Sequence, residues 1–339
     1  LYGYHGQVMF IDLTRRCSRL EPLDTDTASN FLGGIGLAAW LLYKHAPPGL
    51  DPLSADSPLI YTTNPFLSAN IPGSMKLATV CKSPLTNFIG DSLASGPFAY
   101  EFRKMPFDAM VVTGQAHELT LLFIENYNVN FINASHLKSL SAKDTETKIK
   151  TVLKDSSIKT SVIGPAGEAL VRYACITNNG RQAGRTGTGA VMGSKNLKAI
   201  ALKGNRPPYL AYPEKLEVKV LEISKSLYSK ATSKYRGVGT VANLPKLNNL
   251  DALPSYNFRT GNFAGIKKLG MEALEKRRAS SRNKSIAREW EHLYEVLEKS
   301  GKRTQSRLEY ESLFALGPLC GIDDPDIIIK ASALCDQLG

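Results

Sequence analysis

The chain has 339 residues, 43% of them hydrophobic and 22% charged, a make-up that predicts a soluble globular protein large enough for two domains. The longest apolar stretch, residues 31–43, carries three glycines and falls short of the roughly 18 residues a membrane span requires; the chain opens with no charged segment leading into an apolar run, so a cytoplasmic protein without a membrane partner is expected. The formal net charge of +11 invites an acidic partner, but the basic run at 267–303 is interleaved with acids and lacks aromatic platforms, so nucleic acid is not expected.

From Tyr4 to about Gly204 the pattern is of short β-rich segments divided by Gly, Pro, Asn and Asp: QVMFIDL, PLIYTT, KLATVC, DAMVVTG, LTLLFIE, VNFIN, KTSVIG, VRYACITN and KAIALKG. At least two helices interrupt them. The first follows Asp26 through NFLGGIGLAAWLLYKHA and ends before Pro47. The second opens at Ser141 as N-cap with Asp144 three residues on, and carries Ile149, Val152 and Leu153 on its apolar face. The prolines at 207 and 208 mark a boundary between a first domain, 1–207, and a second, 208–339, that reads as helical from PEKLEVKVLEISKSLYSKA onward. Within it, RNKSIAREWEHLYEVLEKSGKR reads as an amphipathic helix capped by Ser285, with Ile286, Trp290, Leu293 and Leu297 as its stripe and Gly301 at its end; His292 is expected at the surface. The last helix is expected from Asp324 to Leu338, with Pro325 at its first position and Ile327, Ile328, Ala331, Leu334, Cys335 and Leu338 buried. The five cysteines, Cys17, Cys81, Cys175, Cys320 and Cys335, form no CxxC pair; each is expected to be a small buried hydrophobe, and neither a disulfide framework nor a zinc ribbon is written here.

The stretch GRQAGRTGTGAVMGSKNLKAIALKG, 180–204, is packed with glycine. It is not a P-loop, which reads G-x-x-x-x-G-K-S/T: Gly189 and Gly193 enclose too few residues, and Ser194 precedes Lys195. Nor is it the G-x-G-x-x-G dinucleotide fingerprint, since Gly187, Gly189 and Gly193 are spaced G-x-G-x-x-x-G with no room for a crossover helix before the next strand. A glycine-rich turn between two strands is the plain reading.

Taken in order, GQVMFIDL, FLGGIGLAAWLLY, DPLSADSPLIYTTNPF, CKSPLTNFIG, FDAMVVTGQA, NASHL, SVIGPAGE, GRTGTGAVMGSKNLKAIALKG and EYESLFALG resemble the aldehyde ferredoxin oxidoreductase family of tungsten enzymes over nearly the whole chain. The resemblance implies an α+β fold: a β-rich base of two sheets on which a tungsten (or molybdenum) bis-pyranopterin lies, with Mg between the pterin phosphates, followed by a mainly α-helical segment. The positions that match pterin and phosphate contacts are Lys76; Ser92, Leu93, Ala94, Ser95 and Gly96; and Arg181, Gln182, Ala183, Gly184 and Arg185. The glycine-rich run would let backbone approach a large flat anion. Lys76 stands where the family has arginine, and Leu93 where asparagine is common. Glu309 and Glu311 flank Tyr310; read alone they are surface acids, whereas the resemblance makes Glu311 the acid that moves a proton as an aldehyde becomes a carboxylic acid. Electrons would pass through a [4Fe-4S] cluster to ferredoxin, an acidic partner that suits the chain's positive charge.

Three departures accompany the resemblance. The CxxCxxxC cluster loop that precedes EYES in the family has no cysteine here; the positions of an iron-bridging ExxH read Lys330 and Ala333; and the family continues through a second pterin motif beyond the residues present. The expectation is an incomplete oxidoreductase, possible as a homodimer without a bridging iron, or alternatively a non-catalytic pterin-binding scaffold; as the chain stands it is expected neither to assemble a [4Fe-4S] cluster nor to reduce ferredoxin.

Overall fold

A computed structural model describes residues 1–233, 239–270, 293–298, 300–301 and 303–339. The chain divides into two compact units, residues 1–224 with 337–339, and residues 225–336.

Two six-stranded mixed sheets build the first unit. In one, β1 (Gln7–Asp12), β2 (Cys17–Pro22), β3 (Leu59–Thr63), β4 (Lys76–Lys82), β5 (Ile89–Ser95) and β6 (Ala109–Thr113) lie in the order β2-β1-β6-β3-β4-β5. In the other, β7 (Thr120–Glu125), β8 (Asn128–Asn133), β9 (Lys159–Val162), β10 (Ile176–Asn178), β11 (Arg181–Ala183) and β12 (Leu197–Lys203) are ordered β11-β10-β9-β12-β7-β8. Side chains alternate across each strand, and the inward set joins both sheets in one core: Met9, Ile11, Tyr61, Leu77 and Met110 from the first with Leu122, Ile124, Ile176, Ile200 and Leu202 from the second. The outward set of the first sheet, Val8, Phe10, Ile60, Val80 and Val111, packs under Leu37, Ala38, Leu41 and Leu42 of helix α2 (Gly34–His45). Leu121, Val162, Ala199 and Ala201 of the second sheet do the same against Ile149 of helix α4 (Ala142–Val152). Burial on both faces explains why these strands read as nearly continuous apolar runs.

The helix expected across residues 26–46 is two helices, α1 (Thr25–Phe31) and α2. Leu32 and Gly33 sit between them at φ 60° and 120°, and a Cβ on Gly33 would lie 2.8 Å from the Thr63 carbonyl oxygen; strand β3 passes too close for a continuous helix. Asp24 caps α1 by accepting the Thr27 N–H at 2.7 Å, and Ser141 caps α4 through the Asp144 N–H at 3.1 Å, as its sequence predicts. The segment read as one strand over 171–178 is strand only from Ile176; Ala174 N–H turns back to the Val171 carbonyl.

Helix α3 (Pro97–Arg103) supplies Phe98 and Phe102 to the core and ends in a buried ion pair, Arg103 to Asp108 at 2.9 Å. The Asp108 carboxylate also accepts the backbone N–H groups of His5 and Gly6, at 3.0 and 2.7 Å, so the buried charges are matched and the N-terminal segment is tied down.

Helices α5 (Pro165–Glu168), α6 (Thr188–Ser194) and α7 (Pro213–Ser226) follow along the chain, and in the second unit Val241, Leu244 on α8 (Asn243–Asn249), Phe263, Leu269, Tyr294, Val296, Leu313 on α9 (Tyr310–Leu316), and Ile328 and Ile329 on α10 (Pro325–Leu338) form a core. The helix expected to end at Gly301 is overturned for its described part: Leu293–Leu297 and Arg303–Arg307 are antiparallel strands, β13 and β14. The helix expectation rests on a stripe of apolar residues; what decides the strand is alternation, with Tyr294 and Val296 buried while Glu295 between them pairs with Arg303 at 2.9 Å across the ladder. Gly301, at φ +80°, turns the hairpin instead of closing a helix. Ser285, Ile286, Trp290 and His292 lie outside the described residues. Helix α10 is present with Asp324 bonding the Asp326 N–H at 2.9 Å, but its buried face differs from the expected stripe. Ile328, Ile329, Ser332 and Ala333 are inside, whereas Ile327, Leu334 and Leu338 are exposed. The expected stripe holds no serine; Ser332 is accommodated in the core by a hydrogen bond to Ser306 at 2.7 Å. Three of the five cysteines expected to be buried, Cys17, Cys320 and Cys335, are exposed, and Cys175 is partly so.

Candidate functional site

Strand β5 is the edge of the first sheet and β11 the edge of the second, and the two edges pack against each other. The candidate pterin-binding residues of the first unit lie on these edges or next to them. Lys76 opens β4 and pairs in register with Ser95 on β5. Along β5, Ser92 and Ala94 point inward and are buried, while Leu93 points outward and is 46% exposed. The Arg185 N–H donates to Ser92 Oγ at 3.0 Å, and a Cβ on Gly96, at φ +135°, would stand 3.1 Å from Cγ of Arg181. Segments more than 80 residues apart in sequence thus form one locale.

The β10–β11 hairpin presents the arginines. Asn178 pairs with Arg181 across a two-residue turn, Asn179 and Gly180, both at positive φ; Asn-Gly is the pair such a turn selects. Behind it, Gln182 Oε1 accepts from both Cys175 Sγ and Thr177 Oγ1, at 2.9 and 2.8 Å. Ala183 is buried; Gly184 and Arg185 emerge to solvent. Ser83 Oγ then holds the Thr186 carbonyl at 2.8 Å. Lys76 and Arg185 are both exposed and without an ion-pair partner among the described residues, and Met75 and Leu93 are exposed apolar side chains beside Lys76 and on β5 respectively.

The glycines that follow do something other than approach a ligand. Helix α6 (Thr188–Ser194) is buried at every residue. A Cβ on Gly187 would stand 1.9 Å from the Arg172 carbonyl oxygen, one on Gly189 2.4 Å from that of Cys175, and one on Gly193 1.9 Å from that of Gly167. Their close approach is to the chain's own backbone, which corrects the expectation that the whole run from Gly187 faces a flat anion. The segment that reaches the surface is 181–186.

Glu311 lies in the second unit, in the first turn of α9, and is exposed, as is Glu309. Tyr310 between them stacks on Phe314, ring centroids 5.6 Å apart and planes 7° apart; its phenol is held above its ordinary pKa, first by burial and second by the Glu311 carboxylate. Among the described residues no three His, Cys, Asp or Glu side chains are grouped to hold a metal ion, and no helix is long and apolar enough to cross a membrane.

Several buried polar atoms around the seam have no hydrogen-bond partner among the described residues: Thr63 Oγ1, Ser74 Oγ, Thr79 Oγ1 and Asn178 Oδ1. The sequence does not reveal them, because a Thr or Ser in a strand looks the same whether its hydroxyl is satisfied or not. The Gln182 hub is equally illegible there: its partners come from the neighbouring strand, a matter of register.

The model of the aldehyde ferredoxin oxidoreductase N-terminal domain matches residues 8–204, and that of the same family's domains 2 and 3 matches residues 219–339. The chain belongs to the aldehyde ferredoxin oxidoreductase family. It is 35% identical over 351 residues to the tungsten-containing aldehyde ferredoxin oxidoreductase of Pyrococcus furiosus, covering all of this chain and 56% of that protein. To the Thermococcus kodakarensis protein of the same description it is 34% identical, with the same coverage. A third relative is the WOR-like subunit of an aliphatic sulfonate oxidoreductase of Pyrococcus furiosus, 33% identical over 70% of this chain and 41% of that one. Among solved structures, the active site complex BamBC of benzoyl coenzyme A reductase with 1,5-dienoyl-CoA shares the fold, with a TM-score of 0.78 at 22% identity over the whole of this chain and 53% of the other. The chain therefore spans little more than half the length of its tungsten relatives.

Proposed function

We propose that residues 1–207 form the base of a tungsten–pterin site in an oxidoreductase of the aldehyde:ferredoxin type, with residues 208–339 forming part of a second domain. The observation that carries the reading is the convergence of Lys76, the 92–96 strand end and the 181–185 segment on one seam in a chain of this family.

The residues present fit a pterin with phosphate groups. Lys76 and Arg185 supply positive charge, the strand ends offer backbone N–H groups, Met75 and Leu93 provide an apolar platform, and Thr63, Ser74, Thr79 and Asn178 bring unsatisfied polar atoms nearby. Lys76 meets phosphate as a point charge where arginine would grip it with two parallel bonds. When bound, the metal–pterin would accept the electron pair released as an aldehyde is oxidised to a carboxylic acid. Glu311 would take up and return the proton of the hydrated aldehyde. Ferredoxin as acceptor is supported by the relatives' names and suits the positive charge of +11.

A [4Fe-4S] cluster does not fit these residues: all five cysteines are among the described residues, and no metal-holding group forms among them. That observation favours a second reading, a pterin-binding scaffold without an electron path of its own. Anaerobic production with tungstate and iron, followed by metal analysis, pterin fluorescence after oxidation and aldehyde-dependent dye reduction, separates the two. Tungsten, pterin and dye reduction support the enzyme; pterin without turnover supports the scaffold; neither metal nor pterin refutes both.

A further inference from the structure

Helix α4 packs on the outer face of the second sheet and directs one acid at the hairpin that carries the arginines. Glu146 Oε1 accepts the Gly180 N–H at 3.3 Å, and the Asn179 N–H also faces the carboxylate. The same turn is held from β9: the Asn179 N–H donates to the Thr160 carbonyl at 3.1 Å, and Asn179 Oδ1 accepts the Thr160 N–H at 3.0 Å. Both turn residues are left-handed, at φ +49° and +75°, and a two-residue turn fixes the register of the strands it joins. Whatever holds Asn179 and Gly180 therefore sets where Arg181 to Arg185 emerge. Nothing in the sequence relates Glu146 to that segment, which begins 35 residues later.

We infer that Glu146 is a positioning residue for the ligand-facing segment Arg181–Gly184–Arg185, acting through the Asn179–Gly180 turn. This rests on the reading of that segment as an anion-binding face, but the hold on the turn stands on geometry by itself. Burial pushes the acid's pKa up to about 7, so its charge state changes near neutrality. The groups that face it are Lys150 one turn along α4, the Thr160 hydroxyl on β9, and the Asn179 and Gly180 amides; Lys150 alone among these is charged. A neutral carboxyl still offers its carbonyl oxygen to the turn; ionisation strengthens the bonds to the two amides, but its burial cost is larger, so the folded turn favours the protonated form.

The test compares the parent chain with Glu146→Ala, Glu146→Asp, whose shorter arm withdraws the acceptor from the turn, and Glu146→Gln, which keeps it. Hydrogen exchange at amides 179–183 should quicken about tenfold in the Ala and Asp variants and return to near the parent rate in Gln. Affinity for inorganic diphosphate, read by calorimetry, should fall about threefold to tenfold in the first two and recover in the third. Below about pH 6 the parent and the Gln variant should protect these amides alike, and above neutrality, where the half-buried carboxyl must ionise, the parent's protection should fall below that of Gln; a purely steric role would show no such divergence. Unchanged exchange in both Ala and Asp, or failure of Gln to rescue, overturns the inference. Faster exchange in a chain whose parent does not bind diphosphate upholds Glu146's hold on the turn and counts against the anion-binding reading instead.

Discussion

Ser92 Oγ accepts the backbone N–H of Arg185 at 3.0 Å across the gap between the two sheets. A single hydroxyl on the edge strand of one sheet thereby fixes the loop that leaves the edge strand of the other. Ser92→Ala removes the acceptor and leaves a partly buried amide without a partner; a loss of about 1 kcal/mol is expected, with faster exchange at the Arg185 amide. A thermal melt and exchange by NMR check it, and an unchanged Arg185 amide would contradict it.

A methyl carbon added at Gly187 or Gly193 would stand 1.9 Å from a carbonyl oxygen, of Arg172 and Gly167 respectively. Gly193→Ala should therefore lose more than about 3 kcal/mol, far beyond what glycine in an exposed helix would cost. Gly180→Ala, where no atom lies within 4 Å of the added carbon, should lose only about 1 kcal/mol from its left-handed φ. Equal losses at the two positions would refute the packing account.

Stability should also depend on pH through Glu146. Its value in the folded chain is raised from 4.5 to about 7 by burial, so between those values the folded chain holds a proton that the unfolded chain has released. Stability is then highest below pH 4.5 as far as this group is concerned and falls as pH rises toward 7, by on the order of 1 kcal/mol after solvent screening. Glu146→Gln should flatten that part of the profile, measured by urea denaturation at about pH 5 and about pH 8.

Lys76 stands exposed at the start of β4 beside Ser95. Lys76→Glu should weaken diphosphate binding about tenfold and steepen its rejection at low salt, whereas Lys76→Arg should strengthen it. Titrations at two ionic strengths decide this; salt-independent effects would remove Lys76 from the site.

Much of this was legible in the sequence. The strands read from their apolar runs because both sheets are covered on both faces, and the Ser141 cap is stated by local side-chain chemistry. The failures share a cause: the deciding partner is distant. Residues 293–297 resemble a helix because spacing alone cannot show that Glu295 lies opposite Gln305 and pairs diagonally with Arg303. Ser332 does not read as a core residue because its partner is Ser306, on another element. For the site, family resemblance named the segments, but the Ser92–Arg185 contact and the Glu146 hold depend on how the sheets are stacked.

The packing of β5 against β11 has another consequence. An edge strand offers unpaired backbone groups to any extended chain it meets, and proteins protect such edges against adhesion between molecules. Here each sheet uses the other's edge as its cover. A substitution that forces the two apart, such as a lysine at Ser92, would expose two adhesive margins at once and be felt as clumping of the protein before any loss of ligand could be measured. The locale that receives a ligand is thus also one that keeps the molecules separate, which limits how widely it can open.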